Sequence, residues 1–293
     1  MVIARLFGGL GNQMFQYAIG RSLSLKNNTP LGLDVCYLLD RTPRKSFTFR
    51  DFDLELFNIK AEVLPKSKIP LWFRHIGKGI FFLMLNKIRD KIPFGKGVEK
   101  QDFIFDERVY NHKGSIYLKG YWQNPKYFQD MRKVLIHDFS LKNILPARIQ
   151  LLREEVQGRE SLCIHVRRGD YVGNKFHNVL DKDYYPRSFQ KIKDIAPVEH
   201  VYIFSDDIDW CRKNISFDLP TTFVGEEFAG EKATGHFELM RACKYFIIPN
   251  STFSWWAAWL SDSPEKIVIA PKKWINDDSI NTKDLIPPEW VQL

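Results

Sequence analysis

The chain has 293 residues, of which 44% are hydrophobic and 27% are charged, and its formal net charge is +8. This length allows two packed domains, and the composition is that of a soluble globular protein. The positive charges are not gathered in one basic tail, which disfavours nucleic acid as a partner and leaves anionic ligands or a membrane surface.

The predicted elements begin with an apolar strand at 2–7, a glycine-rich loop, a helix at 14–26 and a strand at 31–35. From 40 to 111 the pattern is irregular, with many Phe and Lys residues and scattered Pro, and it predicts no defined element. A short strand at 116–118 and a helix at 127–136 follow.

After Pro146 strands and helices alternate. The predicted helices are 148–156, 184–195, 208–214, 237–243 and 252–260, and the predicted strands are 162–166, 200–204, 222–224, 245–248 and 266–270. Such alternation is typical of a parallel, doubly wound sheet. The sequence therefore predicts an α/β protein with two domains, 1–146 and 147–293, facing each other across a cleft.

Residues 165–171, His-Val-Arg-Arg-Gly-Asp-Tyr, directly follow a buried strand. Ligands bind at strand ends of open α/β sheets, and adjacent guanidinium groups suit a diphosphate. We expect Arg167 to contact the diphosphate, Arg168 to assist or to brace the loop, and His165 and Asp170 to hold the loop or the nucleotide. Solvated charges at a strand end and an Arg-Gly-Asp adhesion tripeptide are the alternatives.

Residues 249–254, Pro-Asn-Ser-Thr-Phe-Ser, lie between a predicted strand and an apolar helix. A polar side chain here caps the helix, and the same geometry presents backbone N–H groups to an anion. We expect both roles from Asn250, Ser251 and Thr252, which we assign to donor binding. Three tryptophans follow at 255, 256 and 259; core packing is our interpretation, and a sugar platform is the alternative.

Residues 8–13, Gly-Gly-Leu-Gly-Asn-Gln, connect a strand to a helix as a dinucleotide fingerprint does, and Asp34 ends the next strand. The third glycine position holds Met14, so the fingerprint is incomplete. The loop is either a tight turn or a substrate-facing loop in which Asn12 and Gln13 bind an acceptor.

Asp-x-Asp pairs at 51–53, 181–183 and 207–209 match a metal-binding pattern of sugar-nucleotide enzymes. Three matches in one chain make this pattern unspecific, and helix capping by Asp206 or Asp207 explains the last of them. Two arginines can neutralise a diphosphate without Mg²⁺. We therefore expect no metal ion and no cofactor.

The N-terminus lacks the pattern of a signal peptide, and the four cysteines are widely separated without a CxxC pair. These features predict a reducing, cytosolic location. No apolar run approaches the ~20 residues needed to span a bilayer. The aromatic and basic stretch 71–91 fits either an amphipathic helix on anionic lipid at the cytoplasmic face of the membrane or a core helix with a basic outer face.

Four blocks of sequence resemble the bacterial α-1,2-fucosyltransferases of glycosyltransferase family 11: GGLGNQMFQYA (8–18), HVRRGDY (165–171), FSDD (204–207) and PNSTFSWWAAWL (249–260). The resemblance implies a GT-B architecture of two Rossmann-like domains. It also implies that GDP-fucose binds to the C-terminal domain and the acceptor glycan mostly to the N-terminal domain. The implied reaction is a metal-independent, inverting transfer of fucose to a galactoside hydroxyl of an O-antigen, capsule or related oligosaccharide, which is possibly lipid-linked.

Further residues are candidates for this chemistry. His236 and Glu238 could bind guanine or ribose, or could lie on a solvated helix face. Attack by an acceptor hydroxyl needs a general base, for which Asp170 and His177 are the candidates. The alternative functions are a dinucleotide-dependent oxidoreductase that uses the loop at 8–11 and a non-enzymatic glycan-binding protein.

Overall fold

The computed structural model describes residues 1–42, 48–69, 97–100 and 103–293, with the backbone alone for 97–100 and Asp170. The chain forms two α/β units. The first comprises residues 1–142 and 283–285, and the second comprises 143–282 and 286–293. The division follows Lys142, a few residues before the predicted boundary at Pro146, and the return of the chain to the first unit at 283–285 was not predicted. The stretch 71–91 lies outside the described residues.

The first unit is built on a parallel sheet. Within the described residues its strands are Val2–Arg5 (β1), Leu31–Asp34 (β2), Glu62–Val63 (β3), Gly97–Lys100 (β4) and Ile116–Gly120 (β5), in the order β3-β2-β1-β5-β4. Its helices are Leu10–Lys26 (α1), Glu107–Tyr110 (α2) and Arg132–Asp138 (α3). Because β2 and β3 lie on one side of β1 and β5 and β4 lie on the other, the switch point lies between β1 and β5.

Helix α1 packs closely against the first sheet. A Cβ added to Gly20 would lie 2.8 Å from a methyl of Leu31 and 3.2 Å from the Cβ of Ala4, so glycine allows this approach. At the other side of α1, the buried carboxylate of Asp138 accepts hydrogen bonds from Tyr17 Oη at 2.6 Å and from Arg21 Nε at 2.9 Å. These contacts fix the helix that follows the glycine-rich loop.

The second unit contains a six-stranded parallel sheet, in the order β11-β10-β9-β6-β7-β8. Its strands are Ser161–Val166 (β6), His200–Ser205 (β7), Thr221–Phe223 (β8), Tyr245–Ile247 (β9), Ile267–Ala270 (β10) and Val291–Gln292 (β11). Its helices are Ala147–Gln157 (α4), Tyr184–Lys193 (α5), Ile208–Asn214 (α6), Thr234–Ala242 (α7) and Thr252–Leu260 (α8). Here the strand order reverses between β6 and β9.

The apolar helix α8 lies in the core of the second unit. Trp255 and Trp256 are fully buried and Trp259 is 6% exposed. The rings of Trp255 and Trp259 stack with their centroids 6.0 Å apart. Core packing of these tryptophans is therefore confirmed, and the alternative of a sugar platform is wrong.

Two other features of the structure concern the predicted elements and the cysteines. In place of one helix at 127–136 there are 3₁₀ turns at Pro125–Tyr127 and Gln129–Met131, followed by α3, because Phe128 has a non-helical backbone with φ −147° and ψ 3°. All four cysteines are free thiols. Among the described residues, no helix combines the length and the apolar composition needed to cross a membrane.

Candidate functional site

Most of the predicted ligand-binding residues follow the central strands of the second sheet. Arg167 and Arg168 come directly after β6, Asp206 and Asp207 come directly after β7, and Asn250 follows β9. Because all of these strands are parallel, their carboxyl ends meet at one edge of the sheet. The residues that follow β6 and β9 flank the switch point, where open α/β sheets bind their ligands.

The carboxylate of Asp206 pairs with Arg167 and leaves part of the Arg167 side chain accessible. Arg167 Nη1 lies 2.9 Å from Asp206 Oδ2, and 27% of the arginine side chain is exposed. Its guanidinium carbon lies 5.6 Å from the centroid of the Tyr171 ring. A planar guanidinium in this position can contact a phosphate while its orientation is maintained by Asp206.

Arg168 is more completely engaged within the protein. Its Nε donates to Asp207 Oδ2 at 3.1 Å, its guanidinium carbon lies 3.7 Å above the ring of Trp210, and its backbone N–H donates to Asp206 Oδ1 at 2.8 Å. This geometry fits bracing of the loop. Arg168 is also the arginine of the Arg-Gly-Asp tripeptide. An adhesion motif needs this side chain accessible to a partner, whereas here it contacts Asp207 and Trp210.

The two aspartates after β7 have different roles. Asp207 accepts from the backbone N–H of Trp210 at 3.2 Å and caps α6, which confirms the predicted cap. Asp206 instead accepts from both arginines. A Cβ added to Gly169 would lie 2.5 Å from Asp206 Oδ2, so the turn Gly169–Tyr171 needs glycine at its first position for the carboxylate to approach.

A network of hydrogen bonds joins the loop after β6, residues 167–171, to the segment that follows β9. We call residues 167–171 the arginine loop. Tyr171 Oη donates to the carbonyl oxygen of Asn250 at 3.0 Å, and Asn250 Nδ2 donates to the carbonyl oxygens of His177 at 3.0 Å and Trp274 at 2.9 Å. The rings of Tyr171 and His177 stack with centroids 4.9 Å apart. The structure therefore places His177 beside the arginine loop, whereas the side chain of Asp170 lies outside the described part of the structure.

Two histidines lie beneath the arginine loop. His165 is 6% exposed, and its Nδ1 has no hydrogen-bond partner among the described residues. Burial lowers the pKa of His165 to about 3, and the positive charge of Arg167 acts in the same direction. His236 is also buried, with its Nε2 2.9 Å from the carbonyl oxygen of Gly225, which follows β8. His165 is thus a neutral imidazole with one ring nitrogen unused.

Glu238 does not join this group. Its Oε1 lies 3.6 Å from Arg241 Nη1, and burial raises the pKa of its carboxyl group despite the nearby arginines. It lines a surface cavity with Lys244, which precedes β9, and Ser261, which follows α8. These neighbours belong to the amino-terminal edge of the sheet. The sequence grouped Glu238 with His236 because they are two residues apart, but this spacing turns their side chains to different sides of the helix.

The N-terminus of α8 lies at the carboxyl edge of the sheet, as predicted. Ser251 occupies the N-cap position before Thr252, but its hydroxyl makes no capping hydrogen bond, so this side-chain cap is wrong. An anion would meet backbone N–H groups of the first turn, which an α-helix leaves without intrahelical partners. Asn250 Oδ1 is buried without a hydrogen-bond partner among the described residues.

The glycine-rich loop of the first unit contains two residues with different roles. Gln13 is fully buried; its Nε2 donates to the carbonyl oxygens of Gly8 and Asp51, and its Oε1 accepts from the N–H of Asp53. All of its polar atoms thus serve to hold the loop, and the structure leaves it no group for an acceptor. Asn12 is partly exposed, and it stays a predicted acceptor-binding residue.

The sequence did not predict which residues support the arginine loop. Tyr171, Trp210 and Tyr185 all support the arginine loop, and Tyr185 Oη donates to the carbonyl oxygen of His165 at 3.1 Å. The only available signal was the spacing of Trp210 three residues after the capping Asp207. For the part of the chain that the structure describes, no group of three or more His, Cys, Asp or Glu side chains is arranged to hold a metal ion.

Comparison with known proteins gives consistent matches. The family model for glycosyl transferase family 11 matches residues 101–293. An α-1,2-colitosyltransferase of Escherichia coli is 33% identical over 301 residues, covering 100% of this chain and 99% of the relative. The O-antigen biosynthesis glycosyltransferase WbnK of Escherichia coli is 32% identical, covering 98% of this chain and 99% of the relative.

Among solved structures, NodZ α-1,6-fucosyltransferase soaked with GDP-fucose matches with a TM-score of 0.50 and 15% identity, covering 88% of this chain and 91% of that one. At this identity the likeness concerns the fold alone. Together with the two parallel sheets it confirms the predicted α/β fold of GT-B type with two Rossmann-like units.

Proposed function

The chain belongs to glycosyltransferase family 11 and is a glycosyltransferase, and from this premise we propose that it transfers L-fucose from GDP-fucose to the 2-hydroxyl of a galactoside. The observation that carries the proposal is the arginine pair at the switch point of the second sheet, with Arg167 accessible and Arg168 braced. Membership of this family makes the alternatives of an oxidoreductase and of a non-enzymatic binding protein wrong.

The proposed reaction is a single displacement. The acceptor oxygen forms a bond to the anomeric carbon as the bond from that carbon to the diphosphate breaks, and the configuration inverts from β to α. GDP leaves with the electron pair, and Arg167 stabilises the charge that develops on the diphosphate. The proton of the acceptor hydroxyl passes to Asp170 or His177. Arg167 and the first-turn N–H groups of α8 supply the countercharge, while Arg168 braces the loop, so we propose that the reaction needs no metal ion.

The nucleotide occupies the second unit in this proposal. His165 and His236 hold the nucleoside part, and the buried Nδ1 of His165 makes no hydrogen bond among the described residues. The N–H of Thr252 in the first turn of α8, the hydroxyl group of Ser251 and the side chain of Asn250 bind the phosphates opposite Arg167. Asn12 contacts the acceptor in the first unit.

Colitose is a second candidate for the transferred sugar, because a relative that matches the whole chain is named an α-1,2-colitosyltransferase. Colitose is the 3-deoxy form of L-fucose, so the two GDP-sugars differ by one hydroxyl. Parallel assays with GDP-fucose and GDP-colitose on β-galactosides, followed by NMR of the product linkage, separate the two candidates. Transfer to a position other than O2 contradicts the proposed linkage.

The arginine assignment has its own test. With EDTA present we expect turnover to persist, and we expect Arg167→Ala to lower kcat by at least ~100-fold, as for the loss of a transition-state donor. Arg167→Lys should restore little, since an ammonium lacks the guanidinium fork. Arg212→Ala, at an exposed arginine of α6, is the matched control. Loss of turnover in EDTA with recovery in Mn²⁺, or normal kcat in Arg167→Ala, contradicts the mechanism.

A lipid-linked O-antigen or capsule intermediate fits as the acceptor, since a relative is named an O-antigen biosynthesis glycosyltransferase. The basic and aromatic stretch 71–91 would then hold the enzyme at an anionic membrane surface, each basic residue contributing about 1 kcal/mol. Co-sedimentation with anionic vesicles at low salt tests this contact. Absence of binding, or binding unchanged by charge reversal at Lys78, Lys87 and Lys91, contradicts it.

A further inference from the structure

The first sheet also has a switch point, and aromatic side chains surround it. Phe7 follows β1, Tyr37 follows β2 and Tyr121 follows β5, so all three lie at the carboxyl edge of this parallel sheet. Phe7 and Tyr121 come from the two strands between which the strand order reverses. We call these three residues the aromatic cluster. Its position is where an open α/β sheet binds a ligand.

The rings of the aromatic cluster contact one another edge to face. The centroids of Phe7 and Tyr121 are 4.8 Å apart, and those of Phe7 and Tyr37 are 6.3 Å apart. The guanidinium carbon of Arg5 lies 4.5 Å from the centroid of the Tyr37 ring. Tyr121 is 42% exposed although its large side chain packs on Phe7. The cluster thus presents a supported aromatic surface to solvent.

The residue after Tyr121 has a strained backbone conformation. This residue, Trp122, has a φ of +56°, a left-handed conformation that costs a non-glycine residue free energy and persists only where its surroundings enforce it. The Trp122 side chain is 2% exposed and packs edge to face on Tyr127, with centroids 5.7 Å apart. Burial of Trp122 therefore forces the turn that leaves Tyr121 outside.

An amide pair lies beside these strand ends. Gln123 Nε2 donates to Asn12 Oδ1 at 2.8 Å. Within the described residues, Asn12 Nδ2 and Gln123 Oε1 make no further hydrogen bond, which leaves one donor group and one acceptor. Gly8, with a φ of +81°, has no room for a Cβ beside Asn12 Nδ2, so the glycine-rich loop is shaped around this amide.

These groups suit a hexose better than a nucleotide. Met14 is fully buried at the position of the third glycine, which a dinucleotide fingerprint uses for close packing of the helix on the strand, so this loop departs from a nucleotide-binding fingerprint. A galactopyranose has one face of C–H groups, which packs on an aromatic ring, and hydroxyl edges, which exchange hydrogen bonds with amides.

We propose that the aromatic cluster and the Asn12–Gln123 amide pair form the subsite for the acceptor galactose, with Tyr121 as its packing surface. This inference rests on the proposed function for the identity of the sugar. It assigns Phe7 and Tyr37 to supporting the Tyr121 ring, and Gln123 to orienting Asn12.

The test separates acceptor binding from catalysis. Tyr121→Ala should raise the acceptor KM for a β-galactoside such as lactose at least ~10-fold, whereas GDP binding measured by calorimetry should stay unchanged. Tyr121→Phe keeps the ring and should have a KM within ~2-fold of wild type. The control variant is Tyr110→Ala. Tyr110 is a partly exposed residue at the end of α2, which precedes β5 in the chain, and Lys26 packs on its ring.

The outcomes distinguish this inference from the proposed function. If wild type fucosylates lactose and Tyr121→Ala leaves the acceptor KM unchanged, the subsite is wrong and the function stands. If wild type transfers no sugar to galactosides, the function fails, and saturation-transfer NMR of lactose with wild type and Tyr121→Ala decides the subsite. Lactose contact that disappears in the variant supports it, and absence of contact with wild type overturns it.

Discussion

At the scale of single residues, neighbouring arginines with the same chemistry have different environments. Arg167 has Asp206 as a partner with part of its guanidinium accessible, whereas Arg168 lies between Asp207 and the face of Trp210. A sequence of two adjacent arginines does not show which of them is more accessible to a ligand, because that depends on residues 39–42 positions further along the chain.

Gly169→Ala should lower turnover without unfolding the protein. The φ of Gly169 is outside the left-handed region, so alanine is permitted by the backbone, but its Cβ would meet the Asp206 carboxylate. The carboxylate must move, and Arg167 loses its orientation. We expect kcat to fall ~10-fold with little change in Tm. Gly158→Ala, where a Cβ makes ordinary contacts, is the control; equal effects of the two changes would argue against a positioning role of Asp206.

His165 should make stability depend on pH. Its pKa is about 3 in the folded protein and about 6.5 in the unfolded chain, so below pH 6.5 only the unfolded chain gains a proton. The free energy of unfolding therefore decreases as pH falls from 7 to 5, by an amount on the order of 2 kcal/mol from this residue. Urea unfolding at both pH values should show a smaller decrease for His165→Asn than for wild type or for the control His112→Gln, at a partly exposed histidine. An identical pH slope in all three would contradict burial of the neutral ring.

At the scale of secondary-structure elements, α1 is fastened by one buried carboxylate. Asp138, at the end of α3, joins Tyr17 and Arg21 of α1. Asp138→Ala leaves a buried hydroxyl and a guanidinium without their partner, and we expect a loss of about 3–5 kcal/mol in the free energy of unfolding. Tyr17→Phe removes two hydrogen bonds, one to Asp138 and one from the N–H of Lys60, and should cost about 2 kcal/mol. Denaturant titration measures both, with the surface change Asp130→Ala as control; a loss below 1 kcal/mol in Asp138→Ala would refute this role.

The sequence predicted the long elements well and the short ones poorly. The helices Ile208–Asn214 and Thr252–Leu260 have the predicted bounds, because apolar residues and clear breaks define both. The strands Glu62–Val63 and Val291–Gln292 are too short to show any periodicity, and they were not predicted. The sequence also predicted a helix where the structure has turns around Phe128. A break in the helix at one residue leaves the pattern of apolar residues unchanged, so the sequence contains no sign of it.

For the candidate sites, the sequence located the strand ends but not the partners of the side chains there. Residues 165–171 were placed correctly at the carboxyl end of β6. The burial of Gln13 depends on backbone groups at Asp51 and Asp53, which are distant in sequence. Likewise, the distinction between His236 and Glu238 depends on which edge of the sheet each one reaches. Such contacts between separated segments have no signal in a single sequence.

At the scale of the whole molecule, the first unit includes a segment from near the C-terminus. Asp284 Oδ2 accepts from the N–H of Phe105 at 3.2 Å, and its Oδ1 contacts Lys126 Nζ at 2.9 Å. Burial acts to raise the pKa of Asp284, but the bonds from Lys126 and Phe105 outweigh it and the pKa is lowered. This carboxylate therefore links the return segment to the body of the unit.

Asp284→Asn should weaken that link, with a loss on the order of 1–2 kcal/mol for a charged hydrogen bond. Since the folded pKa is lowered, the contribution is present above the unfolded pKa of about 3.9 and is lost as pH falls through the folded value. Hydrogen exchange at the Phe105 amide should be faster in the variant at pH 7. The exposed Asp278→Asn, paired only at the surface with Lys273, should leave this amide unchanged; unchanged exchange in Asp284→Asn would contradict the link.

The return of residues 283–285 to the first unit has a consequence for the order in which the protein matures on the ribosome. Translation delivers residues 1–142 first, but this unit cannot acquire the Asp284 contacts until residues 143–282 have been synthesised. During synthesis of the second sheet, the first unit of the nascent chain therefore lacks the contacts of Asp284. The strand Val291–Gln292 of the second unit follows residues 283–285 by only a few positions. Both units therefore reach their final set of contacts at nearly the same moment of synthesis.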